Sequence, residues 1–457
     1  MKLAEKVESF IKEHSINETY ANKVNHCYYK YWDYIGTTHA NFVDCTPYTL
    51  IDRSGQEYLD FVAGFACFNW GRKNPELISA LEDAVRSEIP SLTQMNVPTL
   101  AAILGHEILE LTDPSFERVF FLNSGSEAVE YSMKMAIDFT KKERFVSFTG
   151  GYHGLTLGSL SINGVSKTRK IFGLENAHFQ LQLNDIDALN QLFKKHHREI
   201  AGIVVEPVQG RTGRIATGDF LREAKRLCRK YNALLIYDEV QTGLGRTGKR
   251  FGYEWSQVTP DIMTLAKGLS GGMAPVGAVV YTKEVYKKVF NSVEKTLVYS
   301  STFKENNLSM AAGLASLENL RNFDLADVQI AETKIRERLV RQSTDRNYTL
   351  EVRGKGLMLS VAINQNKKKT AAQKLLDRIE GDLFYSIACG RMFREKQIVC
   401  LLGNRFGKSI AIRPALTVPH AFIDRFCDSL FETFDEMLES SNVEFLKANY
   451  EGIRKLA

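Results

Sequence analysis

The middle of the chain alternates short apolar runs with stretches of helical period. Apolar runs at 118–122, 144–148, 201–205, 233–237 and 277–281 read as strands, while 126–139, 218–231 and 283–290 carry the 3.6-residue spacing of helices. That alternation signals βαβ units and a largely parallel sheet. Before it lie a charged helix over 3–13, a segment at 20–34 with aromatics on several faces, and a hairpin pair at 48–52 and 57–61. The hairpin turns at Arg53-Ser54-Gly55, and a helix over 74–88 follows. After a helix at 308–322 the texture changes. A strongly charged helix at 325–344, strands at 348–353 and 357–363 and an amphipathic helix at 422–438 predict a smaller α+β unit, with a boundary near Asn322.

Composition narrows the function classes. With 457 residues, 44% apolar and 25% charged, the chain is of ordinary globular type, which excludes collagen-like, disordered and disulfide-scaffold classes. The net charge of +5 is small, and the basic stretches at 194–198 and 367–369 read as solvated faces, so no nucleic-acid partner is expected. Seven scattered cysteines without a Cys-x-x-Cys pair point to reduced thiols and to no metal site. The first residues lack an apolar leader, and no run approaches the roughly 18 apolar residues of a membrane span. The expectation is a cytoplasmic protein without a membrane partner.

Three features stand at the carboxyl ends of predicted strands, where open α/β sheets hold their ligands. Asn123-Ser-Gly-Ser-Glu-Ala128 follows a strand and opens a helix, so Gly125 and Ser126 can face an anion such as phosphate. Asp238-Glu239 leaves an apolar strand, placing a carboxylate at the mouth of the sheet. Lys267 follows a short apolar run and precedes a glycine-rich loop. Each alone has a plain structural reading: a helix cap, an ion pair, a solvated lysine. Together they match pyridoxal 5'-phosphate, which needs a phosphate cradle, a carboxylate for its ring nitrogen and a lysine for a Schiff base. Neither Gly-x-Gly-x-x-Gly nor a P-loop sequence is present.

With Gly151-Tyr-His-Gly154, Glu206-Pro-Val-Gln-Gly210, Asp238-Glu-Val-Gln-Thr-Gly-Leu-Gly-Arg-Thr-Gly248, Ala266-Lys-Gly268 and Ser301-Thr-Phe303 added, the chain resembles the class III (ω-amino) aminotransferases over residues 48–438. Within them it looks most like the putrescine, ornithine and 4-aminobutyrate branch. The resemblance implies fold-type I: an α/β large domain with a mostly parallel seven-stranded sheet flanked by helices, and a small α+β domain built from both chain ends. The implied divisions are 1–65, 66–322 and 323–457.

By position, the resemblance makes Lys267 the covalent anchor of the cofactor and the proton shuttle, and Asp238 the partner of the ring nitrogen. Tyr152 and Val240 would pack on opposite ring faces, with Gln241 near the phenolic oxygen. Gly125 and Ser126 would hold the phosphate, and Thr302 would reach the phosphate of a neighbouring subunit, implying a homodimer. Arg413 would bind the α-carboxylate of a 2-oxo acid, and Glu206 would pair with Arg413 when an amine lacking that carboxylate enters. His153 is read as structural. The implied reaction is ping-pong transfer of a terminal amino group to or from a 2-oxo acid such as 2-oxoglutarate or pyruvate. Two alternatives are a larger aldehyde or amine of a biosynthetic route, and a non-transaminating aminomutase or decarboxylating enzyme on the same fold. The sequence departs from the family at Gly71-Arg72, at Lys304-Glu305 and in a longer segment over 364–409.

Overall fold

Ile200–Val205 has no polar side chain and is buried at every position. A strand with that character needs cover on both faces, and it has it. In the computed structural model, which describes residues 2–93, 95–365, 383–403 and 408–439, this strand lies inside a seven-stranded sheet. The strand order is 116–122, 277–282, 262–265, 234–238, 200–205, 144–148 and 179–181. All neighbours are parallel except 277–282, which runs antiparallel to both 116–122 and 262–265. Alternate residues feed two cores. Leu235 and Tyr237 pack with Phe220, Leu221 and Ala224 of the helix Gly218–Tyr231. Leu234 and Ile236 pack with Val129, Met133 and Ala136 of the helix Gly125–Thr140. The period of two thus places one helix layer on each face.

The chain ends meet beside this sheet. Ile398–Val399 pairs in parallel with Leu59–Asp60, adding a C-terminal strand to the hairpin of Thr49–Asp52 and Glu57–Asp60. Phe61 stacks on Phe426 of the helix His420–Glu439 with ring centroids 4.2 Å apart. A second four-stranded sheet holds Tyr348–Lys355, Met358–Gln365, Ile410–Ile412 and Leu401–Leu402.

The aromatic segment at 20–34 forms two helices, Ile16–Lys23 and His26–Ile35, rather than one element. Asn25 caps the second helix by accepting from Tyr28 N at 3.0 Å, which is why the break falls there. The seven cysteines are free. No described helix is long and apolar enough to cross a membrane. The stretch 367–369 lies outside the described residues, as does much of the longer 364–409 segment.

Candidate active site

The strands Leu234–Asp238 and Ile262–Leu265 are parallel neighbours, with Asp238 in register with Thr264. Asp238 and Lys267 therefore emerge side by side at the carboxyl edge of the sheet, at the floor of a cavity of about 960 Å³. Asp238 is buried. It accepts from Val240 N at 3.1 Å and from Thr264 Oγ1 at 3.4 Å, and its Oδ2 lies 2.8 Å from His153 Nδ1. Burial disfavours a charge on His153, but its hydrogen bond to Asp238 and the nearby charges of Asp238 and Glu206 outweigh that and raise its pKa. His153 therefore donates to Asp238 and fixes the carboxylate's orientation.

Lys267 has φ +48°, a left-handed conformation that a lysine does not adopt freely. Its Nζ has no hydrogen bond or ion pair among the described residues. Burial lowers its pKa, opposed by the charges of Asp238, Cys67 and Glu206.

At the adjoining strand end, Ser124 caps the helix Gly125–Thr140 by accepting from Glu127 N at 3.2 Å. The cap thus falls two residues before Ser126. The amides of Gly125 and Ser126, in the first turn, have no acceptor among the described residues, as the geometry of a helix start dictates. A Cβ at Gly125 would stand 2.8 Å from Val240 Cγ1, so glycine is what keeps this corner open. An open anion cradle, a buried carboxylate and an unpartnered lysine on one floor fit pyridoxal phosphate.

The walls carry the remaining polar groups. Glu206 leaves the strand Ile200–Val205 and accepts from Tyr152 N at 2.9 Å and Gly210 N at 2.8 Å. Burial raises its pKa, as does the charge of Asp238, against His153 and the two amides. Arg413 follows the strand Ile410–Ile412; its Nε donates to Gln241 Oε1 at 3.2 Å, and its Nη atoms donate to the carbonyls of Gly210, Leu359 and Ile412. Burial pulls it down to about 10, while Glu206 opposes the shift. Gln241 also donates to the carbonyl of Phe65 at 3.3 Å.

Every predicted site residue except Thr302 lines this cavity. Thr302 is exposed, in a turn whose preceding Ser301 accepts from Asn123 Nδ2 at 2.8 Å, so it lies near the phosphate end but outside its own chain's cavity. Glu206 and Arg413 share the cavity but form no ion pair. The reason is the Gly210 peptide, whose N–H takes the carboxylate and whose carbonyl takes the guanidinium. Sequence reasoning did not identify Arg211, Tyr28, Tyr31 and Cys67, which also line the cavity. His153, read as structural, stands against Asp238.

The family model for aminotransferase class III matches residues 38–434. Aminotransferase PigE from Serratia sp. (strain ATCC 39006) is 30% identical over 424 residues, covering 85% of this chain and 50% of that protein. The chain thus spans about half the length of this curated relative. Among solved structures, an S-selective transaminase from Arthrobacter sp. matches with a TM-score of 0.78 and 25% identity, over 91% of this chain and 99% of that one. The fold also matches an amine transaminase from an uncultivated Pseudomonas species in its PLP-bound form, with a TM-score of 0.75 and 24% identity over 87% and 95% of the two chains. With the family matched over most of the sequence and a floor that fits the cofactor, the chain belongs to the class III aminotransferases, a fold-type I enzyme family that works with pyridoxal 5'-phosphate.

Proposed function

We propose that this chain transfers a terminal amino group between an amine or amino acid and a 2-oxo acid such as 2-oxoglutarate or pyruvate, in two alternating half-reactions. The observation that carries this reading is Lys267, a lysine held in a strained conformation beside a buried carboxylate with its Nζ uncommitted. When bound, pyridoxal phosphate supplies an electron sink that lets a C–H bond next to nitrogen break near neutral pH.

The lowered pKa of Lys267 raises its share of neutral amine, which suits it to anchor the cofactor and to carry a proton to and from the substrate carbon. Asp238 keeps the ring nitrogen protonated, and His153 positions Asp238. The amides of Gly125 and Ser126 would hold the phosphate, and Tyr152, Val240 and Gln241, which line the same cavity, would hold the ring. Arg413 meets the α-carboxylate of the oxo acid with its charge and with the one N–H that its four hydrogen bonds leave over. Glu206, whose charge Arg413 senses, balances that charge when the substrate has no α-carboxylate.

Thr302 reaches the phosphate of a neighbouring subunit, making the working unit a homodimer. Supporting this are the exposed side chains of Phe65, Leu155 and Phe303, all adjacent to residues of the cavity mouth or the phosphate end. The small domain is built from both chain ends, consistent with the pairing of 398–399 with 59–60.

A second reading, a sizeable aldehyde or amine as one substrate, is favoured by the cavity's volume and by its apolar wall of Phe61, Val62, Phe65, Val208, Leu401 and Leu402. One screen tests both. Cofactor-loaded protein is given short and long amines with 2-oxoglutarate or pyruvate, and glutamate or alanine is scored. Transfer without CO₂ release supports the proposal; donor consumption without acceptor consumption overturns it in favour of isomerisation or decarboxylation.

A further inference from the structure

Beside the groups already assigned, the cavity holds a second arginine whose charge is left open. The guanidinium of Arg211 lies over the Tyr152 ring, 4.3 Å from its centroid. It makes no hydrogen bond and no ion pair among the described residues, although burial works against its charge. The nearest candidate, Glu206, has both oxygens engaged by the amides of Tyr152 and Gly210. Arg413 differs in the opposite way, being held at four points by Gln241 and three carbonyls. Arg211 thus carries five free donors into the cavity that Lys267 occupies.

The ring that supports it is Tyr152, so its position is fixed by the cofactor's own stacking partner. A cation stacked on an aromatic face keeps its edge donors free for a planar anion. Arg413 follows the strand Ile410–Ile412 and Arg211 follows Gly210, so the two guanidiniums enter from different segments of the chain.

We propose that Arg211 is a specificity-determining residue that binds the distal carboxylate of a dicarboxylic 2-oxo acid, while Arg413 binds its α-carboxylate. This inference rests on the amino-transfer reading and sharpens it, choosing a 2-oxoglutarate-like acceptor over pyruvate. The charge of Glu206 reaches Arg211 but no carboxylate is hydrogen-bonded to it among the described residues, and a monocarboxylic acceptor would leave the guanidinium without one.

The test compares 2-oxoglutarate with 2-oxopentanoate, which has the same carbon chain without the second carboxylate, in the cofactor-loaded wild type and in Arg211→Met. Truncating one partner of a desolvated charge pair corresponds to a loss of about 30-fold or more. The selectivity ratio in kcat/KM, 2-oxoglutarate over 2-oxopentanoate, should fall by that factor. Arg211→Lys should restore part of it, since the charge returns without the fork. Calorimetric binding of glutarate, a diacid that cannot react, gives a readout independent of turnover: wild type should bind it and Arg211→Met should not. An unchanged ratio together with unchanged glutarate binding overturns the proposal. Equal losses for both acceptors overturn it as well, because Arg211 would then merely support Tyr152. Glutarate binding that depends on Arg211 in a protein that transfers no amino group would uphold the carboxylate site and sink the amino-transfer reading instead.

Discussion

The cavity floor and the seam where Arg246 meets Asn69, Leu357 and Pro414 both bury a basic side chain without an ion-paired carboxylate, and they handle it in opposite ways. In the seam, Arg246 is fully buried, and its Nη atoms donate to the carbonyls of Leu357 at 3.1 Å and Pro414, and to Asn69 Oδ1 at 2.6 Å. Asn69 is itself anchored by donating to Leu244 O at 2.8 Å, and Leu357 N returns a bond to Arg246 O at 3.0 Å. Burial and the neighbouring charge of Arg413 pull Arg246 down to about 9. At the floor, Lys267 has no such acceptors. The fold can surround a buried cation with carbonyls, as the seam demonstrates, so their absence around Lys267 is a local property of the floor. The first site is a rivet and the second is a socket.

The largest test of that contrast is Lys267→Ala. Proton transfer by a positioned group is worth about 10²–10⁴ in rate, and loss of the covalent anchor adds to it. Amino transfer should drop by more than about 10⁴-fold while the melting temperature of the cofactor-free protein holds or rises, because Lys267 Nζ makes no hydrogen bond there to lose. Borohydride reduction of the wild type should leave the cofactor on Lys267 in the peptide map. An adduct on another lysine would remove the socket from this site.

Arg246→Met should do the reverse. It leaves three buried acceptors unpaired, at about 1–3 kcal/mol each before relaxation, so unfolding should become easier by about 3–5 kcal/mol in denaturant titration. A variant as stable as wild type would mean that the seam does not depend on the rivet.

Arg413 stands between the two cases, held by carbonyls yet facing the cavity. Arg413→Ala should slow the half-reaction with the 2-oxo acid by a factor corresponding to about 2–5 kcal/mol. It should slow the half-reaction with an amine lacking an α-carboxylate much less. Single-turnover measurements separate the two, and equal slowing would class Arg413 with Arg246 as a rivet.

The contrast also explains what could be read from the sequence. The floor was legible because chemistry and periodicity coincide there: Asp238 ends an all-apolar strand, Lys267 precedes glycines, and Gly125 opens a helix. Gly218–Tyr231 was legible to the residue, since Thr217 caps its start and Asn232, at φ +49°, ends it. The helix Thr99–Leu111 was not, because it is apolar around much of its circumference and shows little periodicity. Strands of two or three residues, such as Phe179–Leu181 and Ile398–Val399, exist only because a neighbour pairs with them. Arg211 was invisible for a related reason. Nothing local distinguishes it from Arg214, and only the fold sets it on Tyr152. The Gly210 peptide between Glu206 and Arg413 was equally invisible, because sequence shows side chains and not the backbone that separates them.

His178 handles buried charge in a third way, and it predicts the smallest effect. Burial pulls its pKa down to about 4, helped by the nearby charges of Arg144 and Arg169, so the ring stays neutral and Nδ1 accepts from Phe145 N at 3.3 Å. The Phe145 ring lies edge-on to it, 5.4 Å away. The unfolded chain takes up a proton near pH 6.5, whereas the folded one resists until about pH 4. Stability from this site is therefore full above the unfolded value and is lost as pH falls towards the folded one. Between pH 7 and 5.5 the loss should be about 1 kcal/mol. Asn can reproduce the Nδ1 acceptor without titrating, so His178→Asn should flatten this part of the acid limb of the stability curve while leaving stability near pH 7.5 little changed. His153 has the opposite sign: its raised pKa gives stability that is lost as pH rises through the folded value. A His178→Asn variant whose acid limb is as steep as that of wild type would show that the slope comes from elsewhere, and that this fold does not shed charge where it lacks both an acceptor and a ligand.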